Sequence, residues 1–351
     1  MSSQTGAHNS PIEPGENIPH LARLIDAGVP GAALAFYGRW WQLENWLREV
    51  AYVELRSRYG VHWSEYLHAS VGKRLAVEQR NAYMASADGE ELLAYADVGA
   101  LFALIEDSWD LFSPLLPPRE RWRGRADELR ELRNRNAHCR RPHTDDLARL
   151  QQALRDLERG AWLFYSSYLD TEFVNAARDP VGKAWIAERH QVAQRLLGNG
   201  HAARKYETRF TLLRTVRPWA ETPIRSRITG TPGVLWYARW SIAGHELNVA
   251  ELWRTVQRNG VSGKYLVHLL FDLGSVVATF AAVDDPKAIA DAIGGVFDAI
   301  LESIHPFRHT NAQEWAQRSF RGAESLPRQV QTRGPFTTVD PLNPPFLLFG
   351  A

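Results

Sequence analysis

Residues 131–141 read Glu131-Leu132-Arg133-Asn134-Arg135-Asn136-Ala137-His138-Cys139-Arg140-Arg141 and close a strongly helical run. Asn134 and His138 stand four positions apart and share one helix face. Arg133 lies about 140° round from His138 at 3.6 residues per turn, a gap that a long, forked side chain swings back across. A titrating imidazole is thereby set beside a permanent planar cation and a neutral amide. That set suits a phosphodiester. Arginine clamps phosphate oxygens bidentately, histidine moves protons near neutral pH, and asparagine orients either one.

The spelling Arg133-Asn134-Arg135-Asn136-Ala137-His138 resembles the Arg-x4–6-His signature of the HEPN superfamily (higher eukaryotes and prokaryotes nucleotide-binding) in its Arg-Asn-x-x-Ala-His form. The resemblance implies a four-helix bundle over about residues 33–170. It also implies a metal-independent endoribonuclease in which two copies of the motif face each other across a homodimer cleft. Arg133 is carried over as the phosphate-binding cation and His138 as the proton-transfer residue; Asn134 matches the polar position after the arginine. In the implied reaction the RNA 2′-hydroxyl attacks the adjacent phosphate, leaving a 2′,3′-cyclic phosphate and a 5′-hydroxyl. Proteins of this kind serve as toxins or antiviral effectors acting on RNA, tRNA included. Others are non-catalytic dimerisation or nucleic-acid-binding modules of larger complexes. HEPN toxins silenced by nucleotidyl transfer often carry a tyrosine two places after the histidine; here that position is Arg140.

The charge around the motif agrees with a nucleic-acid partner. The chain carries a net charge of only +1, but residues 119–141 hold nine arginines against four acids. A wholesale polycation is excluded, so any phosphate-binding surface must be local; the same charges also suit an exposed, charge-laced helix face. Arg125, Arg130, Arg135, Arg140 and Arg141 are the expected RNA-contacting members. A lone cysteine, Cys139, excludes a disulfide framework or a cysteine-based zinc site. HExxH, GxGxxG and Walker spellings are absent, so neither metal nor cofactor is expected. Without an apolar run of about 18 residues or a signal-peptide core, the expectation is a cytoplasmic protein away from the membrane.

Periodicity places the surrounding elements. Residues 1–32 are expected to form a flexible leader, of which residues 1–20 are rich in Ser, Gly, Pro and Asn. Apolar residues recur at helical spacing from about 33 to 59, with Gly60 as the stop. A second helix is expected over 90–112, with Glu106 beside its apolar stripe, placed to reach the motif helix and set His138. Pro117-Pro118 opens the third helix and Pro142 forbids its continuation. Thr144 caps a fourth that runs to about 169. Beyond 170 the texture changes. Residues 209–216 and 234–242 are aromatic and β-branched, and 265–280 reads as two strands about a turn at 272–275. Helices are expected over 247–257, 286–304 and 312–320. The fold is thus mainly α: a HEPN-like helical domain at 33–170, an α+β domain at 171–325, and a Pro/Phe-rich tail at 326–351. The second domain is expected to hold a regulatory partner or ligand.

Overall fold

The computed structural model describes residues 22–23, 25–81, 91–174, 178–198, 209–222, 228–242, 244–272, 274–306, 312–323 and 326–331. Most of the expected leader and all but the first residues of the expected tail lie outside these. The chain is mainly helical with a sheet region in its C-terminal half.

Helix α1 (Gly31–Tyr59) is the longest element and has two characters. Up to Leu47 it is amphipathic, burying Phe36, Trp40, Leu43, Trp46 and Leu47. From Glu49 to Ser57 every residue is buried. A helix buried on all sides has neighbours on all sides, and the charges it carries there must find partners. Gly60 ends α1 at φ +57, and a Cβ placed on it would come within 1.9 Å of Asp284 Oδ1. Only glycine fits. A 3-10 turn over Gly60–Tyr66 leads to α2 (Ala69–Gln79), which buries only Val71 and so offers the sequence no apolar stripe.

The helix expected over 90–112 is instead a 3-10 turn at Leu92–Tyr95, α3 (Val98–Asp107) capped by Asp97, and a short α4 (Trp109–Phe112). Ser108, at ψ 41, breaks the run between them. Helices α5 (Arg119–Ala137) and α6 (Asp146–Leu169) follow. Helix α1 contacts α3, α5 and α6, and α5 contacts α3 and α6. Gly160 lets α6 cross the preceding loop closely, because a Cβ there would lie 1.7 Å from the Leu115 carbonyl oxygen.

The C-terminal half is built on a six-stranded sheet. Its strands are β1 (Glu172–Phe173), β2 (Arg209–Val216), β3 (Val234–Ser241), β5 (Leu266–Asp272), β6 (Ser275–Ala281) and β8 (Val330–Gln331), in the order β1-β2-β3-β6-β5-β8. All neighbours are antiparallel except β5 and β8. Short strands β4 (His245–Leu247) and β7 (Ile304–Pro306) pair separately. Four helices of this half are α7 (Pro180–Trp185), α8 (Gln191–Gly198), α9 (Val249–Arg258) and α10 (Val261–Tyr265). Two more are α11 (Pro286–Ser303) and α12 (Ala312–Ser319).

Strand periodicity assigns the two sheet faces. Val234, Trp236, Ala238 and Trp240 of β3 join a core with α7, α9 and α11, whereas Leu235 and Tyr237 join the core of the N-terminal helices. The chain is therefore layered helix–sheet–helix. The expected division near residue 170 falls between α6 and β1, but the first core crosses it. A β-bulge between Leu266 and His268 shifts the register of β5, and His268 reaches the helical layer with Val267.

Charged and polar groups close that interface. Arg217 and Glu54, both fully buried, form an ion pair with Nη2–Oε1 at 2.7 Å, and Trp219 Nε1 donates to Glu54 Oε2 at 2.8 Å. The Arg217 guanidinium also lies over the Phe164 and Tyr168 rings. The Tyr168 hydroxyl shares hydrogen bonds with His268 Nδ1 (2.9 Å) and Thr279 Oγ1 (2.6 Å), and burial pushes its pKa well above the ordinary tyrosine value. On its other side, His268 Nε2 lies 2.9 Å from Glu49 Oε1. Arg328, just before β8, reaches across to Glu91, Glu49 and the Asn45 carbonyl.

Candidate active site at the end of helix α5

Helix α5 separates an anchoring face from a cationic one. Trp122, Ala126, Leu129 and Leu132 are buried at i, i+4, i+7 and i+10. Pro118, extended at φ −48 and ψ 145, sets the entry, and Glu120 in the first turn complements the positive end of the helix dipole.

The nine arginines of 119–141 divide into two groups. Arg119 and Arg123 both bond Glu106, Arg125 bonds Glu128 and Asp156, Arg130 bonds Asp127, and Arg135 bonds Asp146. Burial opposes the Glu106 carboxylate, but the hydrogen bonds from Arg123 and Arg119 outweigh it and hold its carboxyl below the usual range. Arg149, backed by Arg125, does the same for Glu128. Arg121, Arg133, Arg140 and Arg141 have no side-chain partner among the described residues. Three of these four sit at the motif end. Of the five expected RNA-contacting arginines, Arg125, Arg130 and Arg135 are therefore spoken for by carboxylates, and Arg140 and Arg141 are not. Glu106 does reach the motif helix, but at its opposite end: 15 residues separate Arg123 from His138, roughly 22 Å of helix. It does not set His138.

The motif occupies the last turn and the stop of α5. Arg133 is half-buried, while Asn134 and His138 are exposed, and none of their side chains has a partner among the described residues. His138 is the C-cap; its N–H donates to the Asn134 carbonyl at 3.2 Å. Beyond it Cys139 turns left-handed at φ +51. Its N–H donates to Asn136 O at 3.0 Å, and the Arg140 N–H donates to Arg135 O at 3.1 Å. This pair of bonds is the Schellman stop, which glycine ordinarily supplies. A non-glycine in that conformation is uncommon and stores strain. It holds His138 at a fixed corner.

Asp146 fastens the corner from the other side. It is 6% exposed, accepts the His143 N–H at 2.9 Å and is ion-paired to Arg135. The turn from 138 to 145 is thus pinned to both helices that it joins. Thr144 is the cap that the sequence suggests. Asp145 is the N-cap residue, without a side-chain cap bond, and the Thr144 hydroxyl instead donates to Asp145 Oδ1 at 3.3 Å. The Arg135–Asp146 pair leaves no local spacing signal, since it spans a turn whose path depends on Cys139.

Among the described residues no group of three or more His, Cys, Asp or Glu side chains could hold a metal ion, and no helix is long and apolar enough to cross a membrane. The motif itself offers a guanidinium without a partner among the described residues, a solvent-facing imidazole and an amide at one helix end. Residues 41–160 match the family described as Swt1-like HEPN, a span that includes Arg133, Asn134 and His138. Comparison with curated proteins and with solved structures gives no match.

Proposed function

Residues 41–160 place this chain in the HEPN superfamily, and from that membership we propose that it is a metal-independent endoribonuclease working as a homodimer. One observation carries the reading. Within a segment where five of nine arginines are paired with carboxylates, the Arg133 and His138 side chains have no partner among the described residues. A structural ion-pair helix has no reason to leave them so. The helices α1, α3, α5 and α6 act as the HEPN bundle, and the corner at 138–145 presents the motif at its end. Two copies then share one RNA strand.

In this mechanism Arg133 binds the phosphate oxygens and stabilises the charge that gathers on them as the 2′-hydroxyl attacks. His138 transfers protons to and from the reacting oxygens, and Asn134 orients the phosphate or the imidazole. Arg140 and Arg141 track the strand through its phosphates. The products are a 2′,3′-cyclic phosphate and a 5′-hydroxyl. We further infer a role as a toxin or antiviral effector, with the sheet-containing half as its regulatory part.

The test is cleavage of total RNA and tRNA in EDTA by wild type, Arg133→Ala and His138→Ala, with end-group analysis and sedimentation of each protein. Metal-free cutting by a dimer that is lost in both variants and leaves cyclic-phosphate ends is the expected outcome. Cutting that survives both substitutions overturns the site. No cutting by a folded dimer that still binds RNA transfers the protein to the non-catalytic HEPN modules.

A further inference from the structure

One unassigned cleft lies in the C-terminal layer, remote in sequence from the motif. Its volume is about 410 Å³, and it is lined by Glu246, Leu247, Asn248, His305, Arg318, Ser319 and Arg321. That size falls within the roughly 300–1,000 Å³ of small-molecule sites.

Three features point to a ligand with a phosphate at one end. Arg318 and Arg321 are exposed and have no side-chain partner among the described residues. Their position follows from Asn248, whose Nδ2 donates to the Arg318 and Arg321 carbonyls at 2.7 and 3.1 Å and ties the end of α12 to the start of α9. Asn248 is also the N-cap of the ten-residue helix α9, so the positive end of that helix dipole opens at the same cleft. Most telling is Ser319. It is 2% exposed, lines the cleft, and its Oγ has no hydrogen-bond partner among the described residues. A buried hydroxyl left unmatched is destabilising and is expected to meet a polar group.

A bare polyanion does not suit this cleft, because Glu246 is part of its wall and Glu251 lies 3.9 Å from His305. The carboxylates repel phosphate but accept hydroxyl donors, as acidic residues do for ribose hydroxyls in nucleotide sites. The ligand must therefore be anionic at one end and rich in hydroxyl donors at the other. We propose that this cleft binds a free ribonucleotide. Its phosphates lie on Arg318, Arg321 and Ser319, and its sugar faces Glu246. The site is independent of the RNA-cleaving reading, since no residue is shared with the motif.

Calorimetric titration of the full chain tests this, using the four ribonucleoside triphosphates, their 2′-deoxy forms, adenosine, and inorganic triphosphate. At least one ribonucleoside triphosphate is expected to bind more tightly than its deoxy form, adenosine or inorganic triphosphate. Arg318→Ala and Arg321→Ala are each expected to weaken it about tenfold, the loss of one charge-assisted contact. Glu246→Gln is expected to narrow the ribose preference, and Ser319→Ala to weaken binding less than either arginine change. Thermal melts establish that each variant is folded. Absence of nucleotide binding overturns the proposal. So does binding that ignores Arg318→Ala and Arg321→Ala in folded protein, and binding lost instead in Arg133→Ala relocates the ligand to the motif. Equal affinity for inorganic triphosphate overturns the nucleotide assignment.

Discussion

Arg217 and Arg133 are the same residue type used in opposite ways. Arg217 is fully buried between the helical layer and the sheet, with Nε and Nη2 on Glu54 and two aromatic rings beneath it. Arg133 is half-buried at the end of α5 with no partner among the described residues. A guanidinium taken out of water must be paired, because its desolvation exceeds what an unpaired fold can supply. One left near water incurs little penalty and keeps its donors for something else. The difference teaches where to look for function in an arginine-rich chain. Arginines held by carboxylates are structure, and those held by nothing are candidates for chemistry.

The largest effect expected from this contrast is at Arg217. Arg217→Ala strands Glu54 in a dry interface and should lower stability by about 3–5 kcal/mol, measured as the urea midpoint. Replacing both members with apolar residues, as in Glu54→Leu with Arg217→Met, should recover most of that loss. A cost below about 1 kcal/mol for Arg217→Ala would show that water reaches the pair, and the distinction between the two arginines would collapse. Arg133→Ala, by contrast, should leave the midpoint within about 0.5 kcal/mol, as for an ordinary surface substitution, while removing cleavage.

Asp146 lies between these extremes, buried itself yet serving the motif corner. Asp146→Ala leaves the His143 N–H and the Arg135 guanidinium without their acceptor, a loss of about 1–3 kcal/mol. Because the corner then loosens around His138, cleavage should fall much more than the modest destabilisation explains at a temperature where the variant stays folded. Asp146→Asn keeps an acceptor for the His143 N–H and should retain more activity than Asp146→Ala. Equal activity of wild type and both variants would separate the corner from the site.

The sequence made some of this legible and hid the rest for definable reasons. Strand β3 could be read because Val234, Trp236, Ala238 and Trp240 alternate with Leu235 and Tyr237, and each set has its own core. Helix α5 could be read from Leu129 and Leu132 and from the prolines before it. Helix α2 was invisible because only Val71 is buried in it. The motif residues stand out by their spelling, but which arginines are held depends in part on acids 11 to 31 residues away, such as Asp146, Glu106 and Asp156. The shared core across residue 170 was hidden more deeply. It is closed by pairs 163 residues apart, Glu54 with Arg217, and 100 apart, Tyr168 with His268. No local pattern encodes partners at that range. Buried acids in the second half of α1 were the available hint, since charges there required something to face them.

The smallest effect, and the finest probe of the motif corner, is at Cys139. At φ +51 its side chain is strained where glycine is not. Cys139→Gly should therefore raise stability by up to about 1 kcal/mol, reduced by the greater freedom that glycine gains in the unfolded chain. Cys139→Ala keeps the strain and removes only the thiol. If the corner matters solely through its backbone, both variants cleave RNA like wild type and only the glycine variant melts higher. Loss of cleavage in Cys139→Ala would bring the thiol into the reaction. Loss in Cys139→Gly alone, despite a higher melting point, would mean that the stiffness of the left-handed corner is part of how His138 is held. In that case the strain at Cys139 belongs with the free Arg133 on the functional side of the comparison, and not with the saturated interior.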